Sequence, residues 1–221
     1  KQVLLRFKNA CQHSTREEES IELLAVSKKQ SIEKIKKLYS LGHRVFAESY
    51  LQELALKHKE LENYDIKWVY IGRVQSNKLD KIISYVDELQ SLSKLSHAQK
   101  LNAIVEKKGL EEKFKVYILV NAGAEPSKDG VLISEVFDFY QQLKSLCPNL
   151  SVQGLMALPP FSVSSNASLL KVPQLYRDLN ELSKKIGEGK LSLGMSLDLE
   201  AAIQAGSSCI RVGTAIFGKR D

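Results

Sequence analysis

The sequence predicts an α/β fold: eight parallel strands alternating with helices and closing into a single (β/α)8 barrel, with an extra helix at the N-terminus. Two observations carry this expectation. Short β-rich apolar runs alternate with amphipathic helical stretches along nearly all 221 residues, and strict β–α alternation implies parallel pairing through right-handed crossovers. The runs number eight, the count at which such a sheet closes on itself, although an open doubly wound sheet shares the rhythm. A hydrophobic share of 43% with 26% charged residues is ordinary for a soluble globular chain and supplies a core at this length. Residues 1–221 are therefore expected to form one domain.

Residues 3–11 read as the extra helix. The apolar run 21–28 reads as the first strand, and Ser31 as the N-cap of a helix whose face is Ile32, Ile35, Leu38 and Tyr39. Strand two covers 44–47 with a helix over 50–61, strand three 67–72 with a helix over 77–85, and strand four 88–92 with a helix over 94–108. Residues 114–120, rich in β-branched and aromatic side chains, make the clearest strand. The helix over 133–146 stops before Pro148. Strand six covers 151–157, and the polar segment 162–168 reads as a mobile loop. Residues 169–186 are mostly helical, with Pro173 early enough for a first turn. Strand seven covers 190–195, a helix over 197–205 ends at Gly206, and strand eight covers 209–213.

Composition narrows the function classes. Cys11, Cys147 and Cys209 are odd in number and fit no zinc or redox spacing, so a reducing, cytoplasmic setting is the simplest reading. His13, His43, His58 and His97 form no ligand pair, and no metal is expected. No apolar run reaches the length of a membrane span, and residues 1–16 lack the continuous apolar core of a signal peptide. The formal charge of +6 is spread along helical segments, as at Lys34, Lys36 and Lys37 or Lys184 and Lys185. It reads as a solvated basic surface, and neither nucleic acid nor membrane is expected as a partner. A mild positive field also attracts anionic ligands such as phosphate esters.

In a parallel barrel the chemistry gathers at the C-terminal ends of the strands. Those positions hold Lys28, then Glu48-Ser49, Gly72-Arg73 with Gln75-Ser76-Asn77-Lys78, Asn121, Met156, Gly194-Met195-Ser196 and Gly213-Thr214. Lys28 ends an apolar run, so its amine is expected in the barrel mouth. A lysine that loses hydration there exposes the neutral nucleophile that a Schiff base needs; the plain alternative is a strand-end lysine turned to solvent. Small residues and hydroxyls after the last two strands are where barrels commonly hold phosphate. Backbone N–H groups near Gly213, the hydroxyls of Ser196 and Thr214, and a helix starting near Leu197 would converge on one anion. Ordinary turn chemistry explains the same pattern.

Together, several ordered stretches resemble the pyridoxal phosphate homeostasis protein family, whose TIM barrel is similar to the N-terminal domain of alanine racemase. They are Leu23-Leu24-Ala25-Val26-Ser27-Lys28, Gln75-Ser76-Asn77-Lys78, Gly154-Leu155-Met156, Leu193-Gly194-Met195-Ser196 with Asp198 and Glu200-Ala201-Ala202-Ile203, and Arg211-Val212-Gly213-Thr214-Ala215-Ile216-Phe217-Gly218. The resemblance runs from about 23 to 220. It implies that Lys28 forms a Schiff base with pyridoxal 5′-phosphate and that Ser196, Gly213 and Thr214 cradle the phosphate. It also implies that Arg211 faces the pyridine nitrogen and that Met156 and Asn77 line the pocket. The chain departs from the family at Lys28-Lys29-Gln30-Ser31, where Lys-Thr-Lys-Pro is common, and at Phe46-Ala47-Glu48-Ser49-Tyr50, where Phe-Gly-Glu-Asn-Tyr is usual. A third departure is Val69-Tyr70, where the family has a histidine. Ser49 still donates one hydrogen bond at the pocket but lacks the reach of Asn.

The resemblance implies a protein that binds, stores and hands over the cofactor inside the cell, with pyridoxal-phosphate-dependent apo-enzymes as recipients. A guanidinium offers donors only, so Arg211 would leave the ring nitrogen unprotonated and the electron sink weak. Racemization needs a second acid–base group, which alanine racemase takes from a separate β-domain. The sequence stops at Asp221, shortly after the last strand, so no such domain is expected and a monomer is the natural state. Three other readings stand beside this one: a low-activity amino-acid racemase with Tyr70 as the second base, a barrel enzyme in which Lys28 binds a sugar phosphate, and a basic nucleic-acid module.

Overall fold

The computed structural model describes residues 2–218. Lys1 and residues 219–221, which include the last position of the resemblance, lie outside the described residues. The strands are β1 (Glu22–Val26), β2 (Val45–Glu48), β3 (Lys67–Tyr70), β4 (Glu88–Leu92), β5 (Phe114–Asn121), β6 (Val131–Leu132), β7 (Leu150–Ala157), β8 (Lys190–Ser192) and β9 (Cys209–Val212). Every pairing is parallel. The order β4-β3-β2-β1-β9-β8-β7-β5 is closed by a β4–β5 pairing, giving the expected eight-stranded ring. The sequence pattern does not announce β6, a two-residue strand that pairs with β5 outside the ring.

Helices separate the strands: α1 (Gln2–His13), α2 (Ile32–Ser40), α3 (Leu51–Glu60), α4 (Leu79–Ile83), α5 (Leu95–Lys108), α6 (Val136–Leu146), α7 (Phe161–Ser164), α8 (Gln174–Ser183), α9 (Leu199–Gln204) and α10 (Thr214–Phe217). Ser31 caps α2 as the sequence predicts, its hydroxyl accepting from the Lys34 N–H. The extra helix α1 buries Val3, Phe7, Ala10 and Cys11, one helical face, against Leu199, Ile203, Ile210 and Val212. Among the described residues, no helix is long and apolar enough to cross a membrane.

Three expectations are corrected. The segment 162–168 is not a bare loop: α7 occupies its start, and Ser164 is buried with its hydroxyl donating to the Phe161 carbonyl at 3.2 Å. The helix expected from 169 begins only at Gln174. Ser168 and Lys171 pair their backbones in a tight bridge, and Pro173 serves as N-cap, outside the first turn. The helix expected from Leu197 begins at Leu199, because the Asp198 carboxylate accepts the Met195 N–H at 2.7 Å and the Tyr176 hydroxyl, which holds 195–198 as a turn.

Side chains alternate along each strand. One set packs between ring and helices, where Phe46, Ile118 and Leu155 meet Ile35, Leu54, Leu101, Leu143 and Leu179. The other set fills the barrel, with Leu24, Val26, Ala47, Val69 and Cys209 in one cluster and Tyr117, Leu119 and Met156 in another. A polar chain also runs through the interior. Arg211 Nη1 donates to Ser192 Oγ at 2.7 Å, Ser192 donates to Gln90 Oε1 at 2.7 Å, and Gln90 Nε2 donates to Glu88 Oε1 at 2.8 Å. Lys67 Nζ lies 3.7 Å from Glu88 Oε2 and 2.8 Å from Glu22 Oε1. Each member has a partner, which is the condition under which buried polar groups are tolerated.

Between β5 and β7 the register slips by one residue, leaving Gln153 as a bulge before Gly154. Gly154 has φ +155°, and a Cβ there would stand 1.8 Å from the Lys190 carbonyl oxygen of β8. Gly154→Ala is therefore expected to cost about 2–5 kcal/mol, from overpacking plus a disfavoured backbone region. The check is a urea unfolding titration against wild type; an unchanged midpoint would refute the tight approach.

Burial lifts the Glu88 carboxyl above the usual carboxylate range, and Lys67 offsets part of the effect. In the folded state Glu88 therefore takes up its proton at a higher pH than in the unfolded chain. The penalty of ionising it in place is largest above the folded pKa and is relieved as pH falls toward the unfolded value. Glu88→Gln is expected to gain stability over wild type at about pH 8 and to lose most of that gain at about pH 5. Equal differences in urea midpoint at both pH values would show that Glu88 ionises as freely in the fold as in the unfolded chain.

Candidate functional site

At the C-terminal mouth of the ring lies a cavity of about 300 Å³, lined by Lys28, Ser49, Met156, Ser196, Arg211, Gly213 and Thr214. These are seven of the eight positions singled out in the sequence. Val26, Ile71, Leu158 and Phe161 add apolar walls. The eighth, Asn77, sits elsewhere: residues Ser76–Lys78 form a 3-10 turn, and Asn77 lines an adjoining hollow of about 470 Å³ with Ser91, His97 and Asp129.

Alternation explains who faces the cavity. On β1, Leu24 and Val26 point into the barrel, and Lys28 continues that even-numbered face two residues beyond the strand. The sequence places Lys28 at the strand end; in the fold it is half-buried in the turn that follows. On β9, Arg211 sits opposite Leu24 in the register and is 4% exposed. Its guanidinium donates from Nη1 to Ser192 and from Nη2 to the Ala157 carbonyl at 2.8 Å. Both acceptors are uncharged, and burial pulls the guanidinium below its ordinary range. It remains a cation at neutral pH, so the floor of the cavity carries a fixed positive charge and donors only.

The opposite rim is built from small residues. Gly213 follows β9 directly, and a Cβ on it would come within 3.3 Å of the Val26 carbonyl oxygen. Its own carbonyl accepts from Ile216 and Phe217, starting α10. Ser196 lies on the turn fixed by Asp198. That turn is braced from outside by Arg6 of α1, whose Nη1 donates to the Ser196 carbonyl at 2.9 Å while Nε and Nη2 grip the Glu200 carboxylate at 2.6 and 2.8 Å. Arg6 escapes sequence reading because its partners lie some 190 residues away.

A buried ion cluster stands behind Lys28. Glu48 is fully buried; its Oε1 accepts from the Ser27 hydroxyl at 2.8 Å and from Lys57 Nζ at 2.6 Å. Lys57 also donates to the Ser27 carbonyl at 2.8 Å and to Glu53 Oε2 at 3.1 Å, and Glu53 Oε2 accepts the Lys29 N–H at 2.7 Å. Burial raises the Glu48 carboxyl, and Lys57 works against that rise. One signal does place Lys57 in the core: it stands between Leu54 and Leu61 at helical spacing, the position of an apolar residue.

Tyr70, the candidate second base, is buried with its hydroxyl donating to the Arg73 carbonyl at 3.4 Å. Burial, seconded by the Glu48 charge, raises its phenol and keeps it protonated. The arrangement as a whole offers an amine, a buried cation and a rim of hydroxyl and backbone donors. Those groups suit a ligand with a carbonyl at one end and an anionic group at the other.

Known proteins are similar to this chain over nearly its whole length. The family model described as alanine racemase, N-terminal domain, matches residues 6–221. A protein of Vibrio alginolyticus named pyridoxal phosphate homeostasis protein is 40% identical over 210 residues, covering 92% of this chain and 88% of the relative. A protein of the same name from Pasteurella multocida is 32% identical over 225 residues, covering 100% and 95%. The solved structure of PipY from Synechococcus elongatus with pyridoxal phosphate bound is similar at a TM-score of 0.76 and 26% identity, covering 96% of this chain and 100% of that one. The chain thus belongs to the pyridoxal phosphate homeostasis protein family, built on the barrel of the alanine racemase N-terminal domain.

Proposed function

We propose that this single-domain protein holds pyridoxal 5′-phosphate as a Schiff base on Lys28 and serves in cofactor homeostasis, binding, storing and handing over the cofactor with little or no turnover. The observation that carries the reading is the convergence of Lys28, Arg211 and the Ser196, Gly213 and Thr214 rim on one cavity of about 300 Å³. That volume is at the small end of ligand sites. Bound pyridoxal phosphate supplies an aldehyde that condenses with an amine and a ring that withdraws electrons.

The chain's own groups divide the work. Lys28 provides the amine. Ser196 and Thr214 provide hydroxyl donors for the phosphate, and the lack of a side chain on Gly213 lets the backbone come close to it. Arg211 would hold a cation toward the ring nitrogen and, offering donors only, could not accept from a protonated nitrogen, so it would favour the unprotonated one. Met156 and Ile71 line the cavity with apolar surface that would exclude water from a bound ring, and Ser49 would add a single donor. Asn77, in the adjoining hollow, is assigned no contact with the cofactor. The raised phenol of Tyr70 argues against a second base, which supports a carrier over a racemase. Recipients of the cofactor would be apo-enzymes that depend on it. The free, buried cysteines at Cys11, Cys147 and Cys209 fit a reducing cytoplasmic setting, and a monomer suffices for the site.

Two experiments test the reading. Pyridoxal phosphate added to the purified protein is expected to produce a visible Schiff-base band that is lost in Lys28→Ala, with borohydride trapping mapping the adduct to Lys28 and no robust racemase or transaminase turnover. A band that persists in Lys28→Ala would overturn the assignment. Arg211→Glu is expected to protonate the ring nitrogen and shift that band; an unchanged spectrum with cofactor bound would mean that Arg211 does not face the ring.

A further inference from the structure

We propose that Glu53 and Lys57 of α3 are positioning residues for Lys28: together they hold the turn after β1 in the left-handed conformation that presents the Lys28 amine to the cavity. The proposal rests on the reading of Lys28 given above.

Lys29 has φ +57°. Its side chain makes this left-handed region unfavourable, at a cost equivalent to a factor of roughly five to thirty in population. A residue held there needs compensation from its surroundings. The Lys29 N–H supplies it by donating to Glu53 Oε2 at 2.7 Å, a charge-assisted bond of the stronger kind. Glu53 cannot turn away, because Lys57 Nζ holds the same oxygen at 3.1 Å. Lys57 in turn is fixed on the other side of the turn. It donates to the Ser27 carbonyl at 2.8 Å and to the buried Glu48 at 2.6 Å.

The backbone groups on both flanks of Lys28, the Ser27 carbonyl and the Lys29 N–H, are thus tied to side chains of one neighbouring helix. Within the turn, the Gln30 N–H donates to the Ser27 carbonyl at 3.0 Å. Buried ion pairs seldom stabilise a fold more than apolar packing of the same volume would. Orientation of the turn gives this one a purpose. Without the clamp the turn relaxes toward negative φ at Lys29, and the amine faces the cavity for only a fraction of the time. Affinity for a ligand that needs that amine falls by the same fraction.

The test uses the full chain and two probes: pyridoxal 5′-phosphate, and the analogue bearing an alcohol in place of the aldehyde, which engages the phosphate rim without Lys28. Glu53→Ala, a helix-favouring change at a partly exposed position, is expected to weaken pyridoxal phosphate binding roughly five- to thirty-fold while leaving the analogue's Kd unchanged. Adding Lys29→Gly to Glu53→Ala is expected to restore binding, because glycine adopts positive φ without penalty. Lys57→Met should move the aldehyde probe in the same direction, and if it does not fold the Glu53 result decides. Wild-type affinity in Glu53→Ala, equal weakening of both probes, or no rescue by glycine would each overturn the proposal. A wild-type band indifferent to Lys28→Ala would instead bring down the Schiff-base reading, and the two failures are told apart by that control.

Discussion

The closure of parallel strands into a ring is the constraint from which the site follows. Once β4 pairs with β5, every strand points its C-terminal end to the same rim, and alternation leaves no freedom over which residues face inward. Leu24, Val26 and Lys28 share a face because they are two residues apart, and so do Cys209, Arg211 and Gly213. Groups distant in sequence are brought to one cavity by register alone. The slip between β5 and β7, at Gln153 and Gly154, lets Met156 and the Ala157 carbonyl reach the site from β7.

Electrostatics divides the mouth into two kinds of burial. Arg211 is buried with uncharged acceptors, and its charge is handed down a chain of dipoles through Ser192 and Gln90 to Glu88. Lys57 is buried with two carboxylates, so its charge is neutralised where it sits. The first arrangement leaves a positive field in the cavity; the second leaves almost none. A cavity floored by the first and backed by the second presents its cation to a ligand and hides the other behind the backbone.

The ring was legible in the sequence because each strand is a compact β-rich run bounded by turn residues, and the meeting of Ser196, Gly213 and Thr214 at one cavity because small residues and hydroxyls cluster after the last two strands. What escaped depends on distant partners. The start of α9 is set by Asp198 bonding Tyr176, a residue of α8. The 3-10 turn that carries Asn77 into the adjoining hollow has no periodicity to read. A two-residue strand such as β6 leaves no pattern, and a single turn such as α7 is hidden among serines. Lys57 could have been noticed as a charge at a core position, but its partners Glu48 and Ser27 lie across a strand-to-helix contact that helical spacing does not encode.

Arg6 and the β1–β9 seam carry a consequence for how the protein comes into being. Lys28 follows β1, Ser196 follows β8 and Gly213 follows β9, and β9 pairs with both β1 and β8 in the ring. A growing chain therefore carries Lys28 well before it carries Ser196, Gly213 or Thr214. The seam forms only when the final strand arrives, beside the brace from α1 to the Ser196 turn. Any ligand that spans lysine and rim binds the completed ring alone and, by mass action, draws the seam shut. Closure of that seam by such a ligand would distinguish the finished ring from a partial one.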